Sequence, residues 1–180
     1  MARPRQIEPD RILDAAERVV AEKGAGALSI GSVAKEAGVS KGGVQSVFGT
    51  KEGLLAGMLE RWIAADDRRF EAALTREGGS PDRALAHILA TQSTDEDLLA
   101  KSASLLAVLV QSPAHLAQVR SWYARRLGDL QVPGRQARAE RLALLAAEGA
   151  FFLRFLGFVP IAPETWEDIF QDIRQLASRE

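Results

Sequence analysis

Within residues 39–55, VSKGGVQSVFGTKEGLL, polar side chains stand around two adjacent glycines. Ser40, Lys41, Gln45, Ser46 and Lys51 supply hydroxyl, amide and ammonium groups, and Gly42 and Gly43 supply none. An amide both donates and accepts hydrogen bonds, whereas an ammonium only donates. Such groups recognise a partner; alone they do not make or break covalent bonds. The rest of the chain points to no catalysis either. It has no cysteine, which excludes disulfides, thiolate metal sites and cysteine nucleophiles. His87 and His115 are far apart in sequence and belong to no His/Asp/Glu group at ligand spacing, so no metal is expected. No nucleophile–base arrangement, paired carboxylates or cofactor loop is visible, so neither an enzyme nor a cofactor is expected. The glycines are not a nucleotide loop: GVQSVFGTK lacks the Gly-Lys-Ser/Thr ending of a Walker sequence.

The elements that must position these groups read as helices throughout. Strand-like alternation is absent. From Pro9 to Lys23, Ile12, Leu13, Ala16, Val19 and Val20 keep helical spacing. Pro9 suits a helix start and Gly24 a stop. Ser29 is placed to cap a short second helix with Ile30, Val33, Ala34 and Ala37 inward and Gly38 as its end. Ser40 caps a third helix to about Phe48, where Gly49 breaks it. Thr50 then caps a long helix over 51–74. Further helices are expected from Ser80-Pro81 to about Thr91, and over 95–111, 114–131, 135–157 and 164–178. The expected fold is all-α, with about nine helices. A three-helix unit (residues 1–50) is joined to a larger helical bundle (residues 51–180).

Around Gly38 the apolar spacing is that of a helix-turn-helix. Ala34 is small where the two helices come closest, and glycine in the turn accepts a left-handed backbone. Val44, Val47 and Phe48 are expected to face inward, leaving Lys41, Gln45 and Ser46 outward. Two helices held this way can present the second to a DNA major groove. The glycine pair is puzzling here, since each glycine costs a helix about 1 kcal/mol relative to alanine.

The match then extends to 48 residues. Residues 8–55 resemble the DNA-binding domain of the TetR family of bacterial transcriptional regulators, through the run ILDAAERVVAEKGAGALSIGSVAKEAGVSKGGVQSVFGTKEGLL. The shared positions are Ile12-Leu13, Ala34, Ala37 to Ser40, Gly42, Phe48, Lys51 and Leu54-Leu55. The chain departs from the family's usual threonine at Gly43, leucine at Val44, tyrosine at Gln45, histidine or tyrosine at Val47 and first-helix aromatic at Val20. The resemblance implies a homodimeric, ligand-responsive repressor that binds a palindromic double-stranded operator and is released by a small-molecule effector. On that reading Gln45 and Lys41 address base edges. Ser40, Lys51 and the Arg3/Arg5 arm contact phosphate or the minor groove. Gly42 and Gly43 let the backbone approach the phosphates. The alternative is a helical ligand-binding or interaction protein with a degenerate helix-turn-helix, motivated by the missing aromatics.

Composition agrees with a folded regulator. Of 180 residues 47% are hydrophobic, enough for a core, and the net charge is only −1. Residues 1–51 nevertheless carry eight Lys/Arg against six Asp/Glu. The polar N-terminus and the absence of a long apolar run predict a cytoplasmic protein with no membrane contact. In the C-terminal half, LALLAAEGAFFLRFLGF is apolar nearly all round, which predicts contact with a second subunit through Gly149, Phe152, Leu153 and Leu156. The helix over 164–178 is expected to complete that interface, with Phe170 among its contacts. The resemblance also implies an effector pocket, whose candidate lining is Trp62, Leu105, Leu106, Leu109, Trp122, Tyr123 and Phe151. Glu148, an acid in an apolar helix, must pair with Arg154 or another helix, or meet a cationic ligand.

Overall fold

The computed structural model describes residues 8–76, 82–94, 112–128 and 132–178. Arg3, Arg5, Leu105, Leu106, Leu109 and the helix expected over 95–111 lie outside the described residues. Eight α-helices are present among them: α1 (Pro9–Lys23), α2 (Ile30–Ala37), α3 (Lys41–Phe48), α4 (Lys51–Arg76), α5 (Arg83–Gln92), α6 (Pro113–Leu127), α7 (Arg135–Phe155) and α8 (Pro163–Ala177). A single 3-10 turn, Ala25–Ala27, links α1 to α2. The fold is all-α, as the periodicity predicts. The described residues fall into two compact units, residues 8–63 with 112–116 and residues 64–94 with 117–178, so the division passes within α4.

The N-terminal unit is built on local signals that the sequence announces. Ser29 Oγ accepts from the Ser32 amide, and Ser32 Oγ returns the bond to the Ser29 amide, a reciprocal cap. Gly38 adopts φ 64°, ψ 39°, the left-handed turn needed between α2 and α3. Ser40 Oγ accepts from Gly43 N at 3.0 Å and starts α3. Thr50 Oγ1 accepts from Gly53 N at 3.1 Å and starts α4. Ile12, Val19, Leu28, Val33, Val44, Leu54, Met58 and Leu59 close the core of this unit. Two glycines of α4 make its start possible. A Cβ on Gly53 would lie 2.0 Å from the Phe48 carbonyl oxygen, and one on Gly57 would lie 2.7 Å from the Phe48 ring. Both positions exist so that α4 can pass close beneath the end of α3. Arg61, further along α4, reaches back to α1, bonding Asp14 at 2.7 Å and pairing with Glu17.

In the C-terminal unit, Phe70 and Ala73 of α4 pack on Ala86 and Ala90 of α5. Ala143, Leu144, Ala147, Phe151 and Phe155 of α7 are buried, as are Trp166, Phe170, Ile173 and Ala177 of α8. Trp166 Nε1 donates to the Gln92 carbonyl at 3.0 Å, tying α8 to the end of α5.

Several expectations need correction. Val47 does not face inward: it is 36% exposed, because Val44 and Phe48 already fill the inward arc and Val47 falls at its flank. Phe170 is fully buried within the chain and has no surface to offer a second subunit. The cap of α5 is Asp82, whose carboxylate accepts from Leu85 N, rather than Ser80. Helix α6 stops at Leu127, where Gly128 takes φ 65°.

Candidate nucleic-acid interface

Helix α3 exposes a narrow, smooth face. At about 100° per residue, Val44 and Phe48 define the inward side, and Ser46 lies opposite their midpoint. Gly42 and Gly43 precede Ser46 by four and three residues, so they share its face. Lys41, Gln45 and Ser46 are all exposed, and Lys51 is half-buried at the start of α4. Ser40 is exposed with them, and the arm residues lie outside the described range. Lys41 is further held by α2: a Cβ on Gly31 would sit 3.1 Å from Lys41 Cε, so the lysine stem crosses a position kept bare. Sequence reasoning misses Gly31, since an unremarkable glycine near a helix start carries no signal of what lies above it.

Gly42 has no internal explanation. Neither Gly42 nor Gly43 has a positive φ, so the backbone there suits any residue. A Cβ on Gly42 would meet only Ser40 Oγ, at 4.0 Å. Gly53 and Gly57 are required by packing and Gly38 by its backbone angle, whereas Gly42 meets neither requirement. The hydroxyls on this face are engaged. Ser40 Oγ accepts the cap bond, and Ser46 Oγ donates to the Gly43 carbonyl at 2.8 Å. At the start of α4, the Glu52 carboxyl is held below its ordinary pKa by its own backbone N–H and then by the Thr50 hydroxyl.

The C-terminal unit holds a buried polar network. Arg126 of α6 is 3% exposed. It pairs with Asp66, donates to Asp67 Oδ1 at 2.6 Å, and covers the Phe70 ring at 3.9 Å from its centroid. Burial lowers its pKa, a pull opposed by the charges of Asp66 and Asp67. Its Nε donates to His87 Nδ1 at 3.3 Å, so the His87 proton sits on Nε2 and is given to Glu148 Oε1 at 2.7 Å. Tyr123 donates to the other Glu148 oxygen at 2.7 Å, and Trp122 Nε1 donates to Asp67 at 2.9 Å. Burial, then the Glu148 charge, pushes the Tyr123 phenol pKa well up, so it remains a donor. Of the expected pocket residues, the structure thus brings Trp122, Tyr123 and Glu148 into one network, with Phe151 a turn beyond Glu148 on α7. Trp62 belongs to the N-terminal unit. Glu148 pairs with α5 and α6, while Arg154 lies over the Trp166 ring at 4.6 Å.

A cleft of about 390 Å³ opens in the same unit, lined by Arg69, Ala72, Ala73, Leu89, Gln92, Ser93 and Glu167. None of the expected pocket residues lines it. On α7, Leu142, Leu145, Gly149 and Leu153 are exposed at helical spacing, continued by Leu156 just past its end, with Phe152 half-buried beside them. The outer residues of α8 on either side of its core face are polar, including Glu167, Asp168, Gln171 and Asp172. Among the described residues no group of three or more His, Asp or Glu could hold a metal ion, and no helix is long and apolar enough to cross a membrane.

Residues 12–58 match the family described as bacterial regulatory proteins, tetR family, and residues 82–178 match the tetracyclin repressor-like C-terminal domain. No curated protein matches the sequence. Among solved structures, a transcriptional regulator from Rhodococcus sp. Rha1 is 26% identical, with a TM-score of 0.71, 94% of this chain covered and 96% of that one. The TetR family transcriptional regulator PfmR from Thermus thermophilus is 20% identical, with a TM-score of 0.64, covering 93% of this chain and 97% of that one. The multidrug binding protein EbrR complexed with malachite green is 23% identical, with a TM-score of 0.66, covering 94% and 97%. The two lower identities show the fold alone. With a capped helix-turn-helix in its first unit, and with family matches over residues 12–58 and 82–178, the chain belongs to the TetR family of bacterial transcriptional regulators.

Proposed function

We propose that this regulator is a homodimeric repressor that binds a palindromic DNA operator through α3 and releases it when a small molecule occupies the C-terminal unit. The observation that carries the reading is the outward face of α3: polar side chains flank two glycines that neither backbone angle nor, at Gly42, packing explains. A bare helix face that the fold does not need is accounted for by a partner that comes close. Lys41 and Gln45 address base edges there, and Ser40 and Lys51 lie where phosphate would pass. Backbone N–H groups at the start of α3 attract phosphate. Arg3 and Arg5 would extend the contact along the duplex.

The exposed apolar row of α7 supports the dimer. Leu142, Leu145, Gly149, Leu153 and Leu156, with Phe152 at its edge, form one stripe, and stripes of this kind are covered by a partner helix. The effector is expected against Trp122, Tyr123, Glu148 and Phe151 of the C-terminal unit. Both Glu148 oxygens already hold hydrogen bonds. An effector donor would therefore exchange for His87 or Tyr123, shifting the unit toward a form that holds its heads at the wrong spacing. The complexes of EbrR with small molecules support a ligand role for this fold. Selection of bound duplexes from random sequence, followed by titration at several salt concentrations, tests the reading. A palindromic consensus with strongly salt-dependent affinity is expected. Failure to enrich any duplex would leave the interaction-protein alternative standing.

A further inference from the structure

We propose that Ser46 reads the operator as a hydrogen-bond acceptor, selecting at one position of each half-site a base that carries an exocyclic amino group in the major groove, adenine or cytosine. The inference rests on α3 being the DNA-reading helix, and it assigns the base class.

Three observations carry it. First, Ser46 stands at the outward centre of α3, opposite the midpoint of Val44 and Phe48, and is exposed. Second, its hydroxyl proton is committed: Oγ donates to the Gly43 carbonyl at 2.8 Å. A serine hydroxyl has one proton and two lone pairs. With the proton held inside the helix, what it turns outward is acceptor capacity only. In the major groove the donors offered to an acceptor are the amino groups of adenine and cytosine, whereas guanine O6 and N7 and thymine O4 are acceptors. Third, serine is short, and it reaches a base only if the helix backbone comes close. The residues four and three before it are Gly42 and Gly43, and a Cβ on Gly42 would meet only the capping hydroxyl of Ser40, at 4.0 Å, so packing does not demand the glycine there. The glycine pair and Ser46 are therefore one device: the glycines clear the approach and the hydroxyl reads at its end. The amide of Gly43 is itself taken by Ser40 Oγ, which fixes the first turn of α3 and with it the carbonyl that holds the Ser46 proton.

The test uses full-length protein and the duplex obtained by selection. The Ser46→Ala variant is selected in parallel, and the position whose preference it loses is identified. At that position wild type is expected to show adenine or cytosine. Replacing that base by its analogue without the amino group, purine for adenine or 2-pyrimidinone for cytosine, should weaken wild type by about three- to tenfold per half-site, the loss of one hydrogen bond. Ser46→Ala should bind both duplexes alike, and Ser46→Thr, which keeps the hydroxyl, should keep the discrimination. Unchanged helical content in each variant separates reading from folding. The proposal is overturned if Ser46→Ala selects the wild-type consensus, or if the position it controls is guanine or thymine. Enrichment of no duplex by wild type would instead bring down the DNA-reading role of α3 itself, and this inference with it.

Discussion

Two glycines only ten residues apart, Gly43 proposed for the approach to DNA and Gly53 required by packing, are separated by substitution. Gly43 lies in ordinary helical backbone, so Gly43→Ala should leave thermal stability unchanged or raise it by up to about 1 kcal/mol, since alanine favours helix. The same change should weaken DNA binding on specific and random duplexes alike, because a phosphate approach carries no base information. Gly53→Ala should do the reverse of the first effect. Its Cβ would meet the Phe48 carbonyl oxygen at 2.0 Å, and the required backbone shift should cost about 1–3 kcal/mol in a thermal or denaturant melt. Equal stability of the two variants would mean that α4 moves off Phe48 without penalty. Two residues beyond Gly43, Gln45→Ala should cost about 1–3 kcal/mol of operator affinity and relax one base position per half-site. If the variant selects the wild-type consensus, Gln45 points at the backbone of the duplex and reads nothing.

At the scale of elements, the proposed pairing is tested on α7. Its buried row (Ala143, Leu144, Ala147, Phe151, Phe155) holds this chain together, while its exposed row, from Leu142 to Leu156, is left uncovered. Leu153 is 44% exposed. Leu153→Arg should therefore leave the helical signal intact while turning dimers into monomers in sedimentation, with operator affinity down at least about tenfold because two half-sites no longer bind as a unit. A variant that still sediments as a dimer would move the interface off α7. Much of the N-terminal unit was legible in the sequence, and the reason is local. Caps and turns depend on a few adjacent residues, so Ser29, Gly38, Ser40 and Thr50 announce themselves. Periodicity also reveals that α7 and α8 have apolar faces. It does not say what covers them. Phe170 and Leu153 look alike in sequence, yet one is buried in the chain's own core and the other faces outward. Val47 fails for a different reason: an eight-residue helix has room for one inward row, which Val44 and Phe48 fill, leaving Val47 at its flank.

Across the whole molecule, what the sequence could not foretell is the joining of charges from distant segments. Glu148 signals that it needs a partner. That the partners are His87 and Tyr123, and that His87 passes the link to Arg126 and on to Asp66, depends on four helices meeting. Arg126→Ala should cost about 3–5 kcal/mol in denaturant unfolding, because it strands Asp66 in a site only 10% exposed for that side chain. A loss below about 1 kcal/mol would mean that Arg69, already bonded to Asp66, suffices as its counter-charge. The distribution of charge makes a further demand on function. With a net charge of −1, the chain as a whole does not attract a polyanion, so affinity for DNA must come from the few cations of the N-terminal unit. Each phosphate neutralised contributes about 0.9 to the slope of log affinity against log salt. A homodimer presents every contact twice, so Lys51→Ala should lower the magnitude of that slope by about 2 on any duplex, while the selected consensus stays the same. The measurement is a titration of operator and random duplex at four or more salt concentrations. A slope unchanged by the substitution would take Lys51 off the phosphate backbone. A slope reduced only on the operator would make it a base reader after all, and a reduction near 1 would mean that only one protomer's head engages the duplex.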